Sequence, residues 1–217
     1  MAIDAVVFDF DLTLADSTAG AVECSNHALR RLGLAAADPA AIRRTIGLPL
    51  PRAFHALTGT EDPARGEAFA TCFIARADEV MVDLTALFPD VPEMLRRLRD
   101  AGVRAAIVST KFRRRIESIL AREKLRDAFE AIVGGEDVAR LKPDPEGLRR
   151  ALGALDVAPA RAVYVGDHPI DAEAAARAGV RFVAVLTGCS SAEDFAGWDV
   201  ARVLPSLASL PPALAGL

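Results

Sequence analysis

Five short apolar runs constrain this chain more than any other feature: residues 3–8, 103–108, 131–133, 162–165 and 182–185, each rich in Val, Ile or Ala. Their apolar residues follow one another instead of alternating, the pattern of strands covered on both faces. Helical spacing fills the intervals. Residues 92–101 stop at Gly102, residues 112–124 carry Ile116, Ile119 and Leu120 on one stripe, residues 146–155 follow, and a helix opening near Asp171 runs to Ala178 before Gly179. Strands alternating with helices predict an α/β fold with a Rossmann-like parallel sheet, whose ligands bind outside the carboxyl ends of the strands. With 217 residues, 52% of them hydrophobic, the chain can bury such a core.

The first two runs are much further apart than the roughly 30 residues of one strand–helix–strand unit. Between them no strand is evident, while residues 21–32, 40–46, 51–57 and 63–82 read as helices broken at Gly33, Asp38-Pro39, Gly47, Pro49 and Gly59. The spacing therefore predicts a catalytic core from residues 1–16 and 85–217, with an inserted α-helical cap domain over 17–84. Cys24, Asn26, His27 and Arg30 share a stretch of the first cap helix and form a candidate substrate-facing turn.

Composition narrows the partners. A formal charge of −4 and the lack of a long basic run argue against nucleic acid, which needs a concentrated basic face. No apolar stretch reaches membrane-span length, and the N-terminus does not read as a secretion signal. Cys24, Cys72 and Cys189 are too few and too scattered for a disulfide scaffold or a zinc site. A cytoplasmic protein is expected.

Charge sits where the runs end. Asp9 and Asp11 follow the first, Ser109-Thr110-Lys111 the second, and Asp167 and Asp171 the fourth, while Leu141-Lys142-Pro143-Asp144-Pro145 precedes the helix 146–155. Carboxylates at buried strand ends are costly unless a cation or hydrogen-bond donors compensate them. A parallel sheet gathers these residues at one crevice, where they match the needs of phosphoryl transfer. In this reading Asp9 is the nucleophile and Asp11 the acid/base. Mg²⁺ is held by the Asp9 carboxylate, the backbone carbonyl of Asp11 and the Asp167 carboxylate, with Asp171 behind them orienting Lys142 or a water. Lys142 supplies a compact positive charge to Asp9 and the phosphoryl group. Ser109, Thr110 and Thr13 form the substrate-binding set, Ser109 donating to phosphoryl oxygens and Thr13 tying the loop after Asp11. His168 reads as a local hydrogen-bonding group at a helix start, and Arg113, Arg114 and Arg115 as a solvated face.

Four ordered segments, Asp9-Phe10-Asp11-Leu12-Thr13-Leu14, Val108-Ser109-Thr110-Lys111, Leu141-Lys142-Pro143-Asp144-Pro145 and Val165-Gly166-Asp167-His168-Pro169-Ile170-Asp171, resemble the motifs of the haloacid dehalogenase superfamily. The resemblance covers essentially the whole chain and is to the phosphoglycolate phosphatase-like members with a helical cap. It implies a Mg²⁺-dependent phosphatase of a small phosphorylated metabolite, acting through an aspartyl-phosphate as a monomer or homodimer. Leu12 stands where many relatives have Gly, and Thr110 where Asn is common. The carboxylate of Asp11, absent from the superfamily's dehalogenases, argues for phosphoryl transfer. The alternatives are a β-phosphoglucomutase-like phosphomutase and a non-catalytic regulator that binds a phosphorylated ligand. The first is disfavoured because Gly47-Leu48-Pro49-Leu50 has no Arg or Lys directly after the glycine.

Overall fold

The computed structural model describes residues 3–217. In chain order its strands and α-helices are β1 (Ala5–Phe8), β2 (Ala15–Asp16), α1 (Thr18–Arg31), α2 (Pro39–Arg43), α3 (Leu50–Thr58), α4 (Pro63–Val80), β3 (Ala86–Leu87), α5 (Val91–Asp100), β4 (Arg104–Val108), α6 (Arg113–Arg122), β5 (Ala131–Val133), α7 (Glu146–Leu155), β6 (Ala162–Gly166), α8 (Pro169–Ala178), β7 (Arg181–Val185), β8 (Val200–Leu204) and α9 (Leu210–Leu214). They fall into two compact units, one made of the chain up to Ala15 with Leu87–Leu217, the other of Asp16–Ala86. The short strands β2 and β3 pair with each other where the chain crosses between the units.

The larger unit is built on a six-stranded sheet in the order β5-β4-β1-β6-β7-β8, and every neighbouring pair is parallel. β1 lies in the middle, with Phe8 opposite Ile107 of β4 on one side and Val165 of β6 on the other. That register brings the residues just past β1, β4 and β6 side by side at one end of the sheet. On one face, Val7, Ala106 and Tyr164 pack with Leu148, Leu152 and Leu155 of α7 and Ala174, Ala175 and Ala178 of α8. The small residues of α8 let it approach the strands closely. Elsewhere in the core Phe8 meets Phe129 edge to face, with ring centroids 6.4 Å apart.

The sixth strand, β8, departs from the five-strand expectation. It is an edge strand with two of its five residues exposed, and its pairing with β7 shifts register between Phe182 and Val183. A strand covered on one side only loses the continuous apolar run that marks the others. A second departure is Arg115. It is buried, its guanidinium 4.9 Å from the ring centroid of Phe112, whereas Arg113 is exposed and ion-paired to Asp137 at 2.9 Å. Successive helical residues turn by about 100°, so three consecutive arginines cannot share one solvated face, and Arg115 lies one turn before the buried Ile119.

The smaller unit holds α1 to α4. Phe54 of α3 and Phe69 of α4 pack at 5.5 Å between ring centroids, with Ala28 and Leu29 of α1 in the same cluster. Cys24, Ala77 and Met81 form a second buried group. The helix starts are encoded locally: Asp38 accepts from the Ala41 N–H at 3.0 Å and Asp62 from the Ala64 N–H at 2.9 Å, each just before a proline that can open a helix. Gly59 ends α3 in the left-handed conformation at φ 69°. Of the expected substrate-facing turn on α1, Cys24 is buried and Asn26 exchanges hydrogen bonds with the backbone of Ala37, the shorter at 2.8 Å, while His27 is half-buried and Arg30 exposed.

Candidate active site

Asp9 is the first residue past β1, and its N–H continues the ladder to the Val165 carbonyl at 2.8 Å. Beyond β4, the Ser109 N–H donates to the Val133 carbonyl at 3.1 Å, and Asp167 directly follows β6. Extending the sheet by these bonds fixes where the side chains converge. Asp9, Asp167 and Asp171 are all buried and each offers a carboxylate oxygen within 4.8 Å of the others. Lys142 inserts into this acidic group, its Nζ lying 2.9 Å from Asp9 Oδ1 and 2.6 Å from Asp171 Oδ1.

The contact with Asp171 is a hydrogen bond; that with Asp9 is an ion pair without hydrogen-bond geometry, and Asp9 Oδ1 has no hydrogen-bond partner. Three buried carboxylates thus share one ammonium. Burial raises the Asp9 pKa to about 6; the Lys142 charge pulls against the rise, and Asp171 and Asp11 add to it. Asp167 is held well above the usual carboxylate range by burial, then by Asp171 and Asp9. Burial alone would lower the pKa of Lys142, but Asp171 and Asp9 more than compensate and raise it, so it stays charged. A surplus of buried negative charge around a single ammonium is an arrangement that a divalent cation relieves. The residues present fit such an ion.

Two glycines press on the acids. A Cβ on Gly188 would come 1.9 Å from Asp167 Oδ2, and one on Gly166 would come 2.5 Å from Asp171 Oδ2. Only backbone without a side chain fits at either place. The loop after β1 is equally constrained. Leu12 is buried with φ 60°, its N–H donates to the Ala15 carbonyl at 2.7 Å, and its own carbonyl accepts from Thr187 Oγ1 at 2.6 Å. The left-handed backbone at this position is the physical reason a glycine is at home there.

Each residue singled out in the sequence can now be placed. Asp9, Lys142, Asp167 and Asp171 form one cluster. Asp11 does not bring its carboxylate to that cluster; it pairs with Lys111 Nζ at 2.9 Å. Thr13, expected to contact substrate, is fully buried and donates its hydroxyl to Asp167 Oδ1 at 3.0 Å, so its role lies in holding that acid. Ser109 is buried and its Oγ accepts from the Lys111 N–H at 3.3 Å; Thr110 is half-buried, with its carbonyl 2.4 Å from where a Cβ on Gly135 would stand. His168 caps α8, its Nδ1 accepting from the Ile170 N–H at 3.1 Å, while Asp171 accepts from the His168 N–H at 3.2 Å.

Sequence reasoning missed three contributors. Tyr164 lies inside β6, and its hydroxyl is 3.1 Å from both the Val108 carbonyl and Asp171 Oδ1 and 3.3 Å from Lys142 Nζ. Burial, with Asp171 and Asp9 nearby, pushes its pKa up and keeps it protonated. A tyrosine within an apolar strand gives no signal of this in sequence. Gly188 lies outside all four motifs. Lys111 carried a signal, because a lysine directly after a strand-end Ser-Thr belongs with the residues of the crevice.

The chain matches the haloacid dehalogenase-like hydrolase family over residues 6–185. It is 34% identical over 214 residues to a phosphoglycolate phosphatase of Cupriavidus necator, covering 97% of this chain and 92% of that protein. A phosphoglycolate phosphatase of Rhodobacter capsulatus is also 34% identical, over 85% of this chain and 84% of its own. Among solved structures, a protein of Bacteroides fragilis described as a haloacid dehalogenase-like hydrolase superposes with a TM-score of 0.92 at 41% identity, over 96% of this chain and 99% of that one. CbbY from Rhodobacter sphaeroides, solved in complex with phosphate, gives a TM-score of 0.75 at 27% identity over 98% and 99% of the two chains. With an acid cluster, a buried lysine and a parallel sheet arranged around β1, the chain belongs to the haloacid dehalogenase-like hydrolase family, as a phosphatase of its phosphoglycolate phosphatase-like branch.

Proposed function

We propose that the protein is a Mg²⁺-dependent phosphatase that hydrolyses a small phosphomonoester through a phosphorylated Asp9, with 2-phosphoglycolate the first substrate to test. One observation carries the reading: the buried carboxylates of Asp9, Asp167 and Asp171 converge within 4.8 Å of one another, with a single ammonium, Lys142, 2.9 Å from Asp9 and 2.6 Å from Asp171. The relatives' names supply the candidate substrate.

The residues divide the work. An Asp9 oxygen attacks phosphorus; the Asp9 O–P bond forms, the ester P–O bond breaks, and its electron pair leaves with the alkoxide oxygen, which takes a proton from the Asp11 carboxyl. Water then attacks the same phosphorus while Asp11 takes its proton. The Asp9 O–P bond breaks, returning the carboxylate and releasing inorganic phosphate. Lys142 holds Asp9 ionised and offers positive charge to the phosphoryl oxygens, and Ser109 and Thr110 bind those oxygens. Asp9, Asp167 and the backbone carbonyl of Asp11 would hold Mg²⁺, with Asp171 fixing Lys142. When bound, the ion neutralises phosphoryl charge and allows two anions to approach each other. The helical unit is proposed as a cap that selects compact substrates. The proposed setting is the cytoplasm, with the protein working as a monomer or homodimer.

The test is phosphate release from 2-phosphoglycolate, sugar phosphates, nucleotides and pyrophosphate, with Mg²⁺ and with chelator. Activity on at least one phosphomonoester, lost with chelator and in Asp9→Asn, is expected. Most activity surviving in Asp9→Asn overturns the covalent reading, and conversion of one sugar phosphate to another without phosphate release would replace hydrolysis by mutase chemistry.

A further inference from the structure

Lys111 is a buried charge at the crevice that this mechanism leaves without a task. Its side chain is 4% exposed and that of its partner Asp11 12%, with Nζ 2.9 Å from Asp11 Oδ1. The two residues come from the ends of adjacent strands, Lys111 beyond β4 and Asp11 beyond β1. Nζ also stands 5.9 Å from the centroid of the Phe10 ring, within reach of its face.

Both partners sit on anchored backbone. The Lys111 N–H donates to Ser109 Oγ at 3.3 Å and its carbonyl accepts from the Gly135 N–H at 3.0 Å. On the other side Asp11 bridges to Ala15, and the next residue, Leu12, is tied to Ala15 and Thr187. With both main chains fixed, the orientation left to settle is that of the Asp11 carboxyl, and the Lys111 ammonium contacts it. Exposed ion pairs contribute little, but a desolvated pair is costly to break by removing one partner.

We propose that Lys111 is a positioning residue for proton transfer: it fixes the carboxyl of Asp11 for the leaving oxygen. The inference rests on the acid/base role proposed for Asp11, and it makes a claim that a merely structural ion pair does not. A misplaced acid slows cleavage in proportion to the leaving oxygen's need for a proton. General acid–base catalysis contributes about 10²–10⁴-fold, and that factor applies to an alkyl ester but hardly to 4-nitrophenyl phosphate, whose leaving group departs as a stable anion.

The experiment measures kcat/KM, which reports steps up to loss of the first product, for the alkyl phosphate hydrolysed fastest and for 4-nitrophenyl phosphate. It compares wild type, Lys111→Met, Lys111→Arg, Asp11→Asn and Asp9→Asn with Mg²⁺ present. The ratio of the two values is independent of how much of a preparation is folded. We expect Lys111→Met to lower the alkyl value by about 10²-fold and the aryl value by much less, shifting the ratio in the same direction as Asp11→Asn, with Lys111→Arg between Lys111→Met and wild type. An unchanged ratio in Lys111→Met overturns the proposal, as does failure of both lysine variants to fold, which would make the pair structural. A ratio unchanged in Asp11→Asn itself, or activity retained in Asp9→Asn, instead overturns the underlying mechanism.

Discussion

Replacing Asp9 by Asn should make the metal-free protein more stable while abolishing activity. Asp9 is 2% exposed, and moving its pKa from 3.8 to about 6 corresponds to roughly 3 kcal/mol in favour of the neutral form. Between those two values the folded protein keeps a proton on Asp9 that the unfolded chain has released. The contribution of this group to stability is therefore complete below pH 3.8 and lost as pH rises through about 6. Asn carries no ionisable group and escapes that loss, and Lys142 keeps Asp171 as a partner. In chelator at pH 7.5, Asp9→Asn should exceed wild type by up to about 3 kcal/mol, roughly 6–12 °C in Tm for a chain of this size, with the difference shrinking as pH falls toward 4. Mg²⁺ should stabilise wild type far more than the variant. Thermal unfolding across pH, with and without Mg²⁺, reads all of these. An Asp9→Asn protein no more stable than wild type at pH 7.5, with a parallel pH dependence, would refute the idea that Asp9 is a poorly compensated buried charge.

Other positions give separate tests. Leu12→Gly relieves about 1–2 kcal/mol of left-handed strain but empties a buried leucine site worth about 2–5 kcal/mol; a net loss of roughly 1–3 kcal/mol is expected in urea unfolding. Gly188→Ala presses a methyl group against the buried Asp167 carboxylate and should raise the Mg²⁺ concentration needed for half-maximal activity at least about tenfold, at a cost of about 1–3 kcal/mol in stability. Tyr164→Phe leaves the buried Val108 carbonyl and Lys142 each short of a partner; it should cost about 1–3 kcal/mol and lower kcat more than it raises KM.

What the sequence made legible was whatever a local rule encodes. The strands β1, β4, β6 and β7 announce themselves as continuous apolar runs because the sheet interior is covered on both faces, and β5, though at an edge, does so because Ile132 and Val133 are buried. The parallel topology gathers Asp9, Asp11, Ser109 and Asp167 at one end of the sheet, but which side chains meet there needed the fold: Asp9, Lys142, Asp167 and Asp171 form one cluster while Asp11 turns to Lys111. Features that depend on partners from elsewhere in the chain were hidden. β8 lies at a sheet edge with only Leu204 of its five residues buried and with Arg202 interrupting it, so its run is broken. The Thr13 hydroxyl could have met substrate or protein equally well until the fold brought Asp167 within 3.0 Å. Tyr164 reads as another apolar strand residue, and only the register of β6 against β1 and α8 puts its hydroxyl beside Lys142. Arg115 was the avoidable error, because helical geometry alone places it on the stripe with Ile119.

The central claim is that Asp9 carries the phosphoryl group during turnover. The direct measurement is rapid acid quenching of Asp11→Asn with Mg²⁺ and ³²P-labelled 4-nitrophenyl phosphate, whose leaving group needs no acid, so that the variant still forms the intermediate; peptide mapping follows. The account predicts hydroxylamine-labile label on the peptide containing Asp9, accumulating because release by water lacks its base, and absent from Asp9→Asn. Turnover of this substrate by wild type with no trapped label in Asp11→Asn, or label on another residue, would contradict the account.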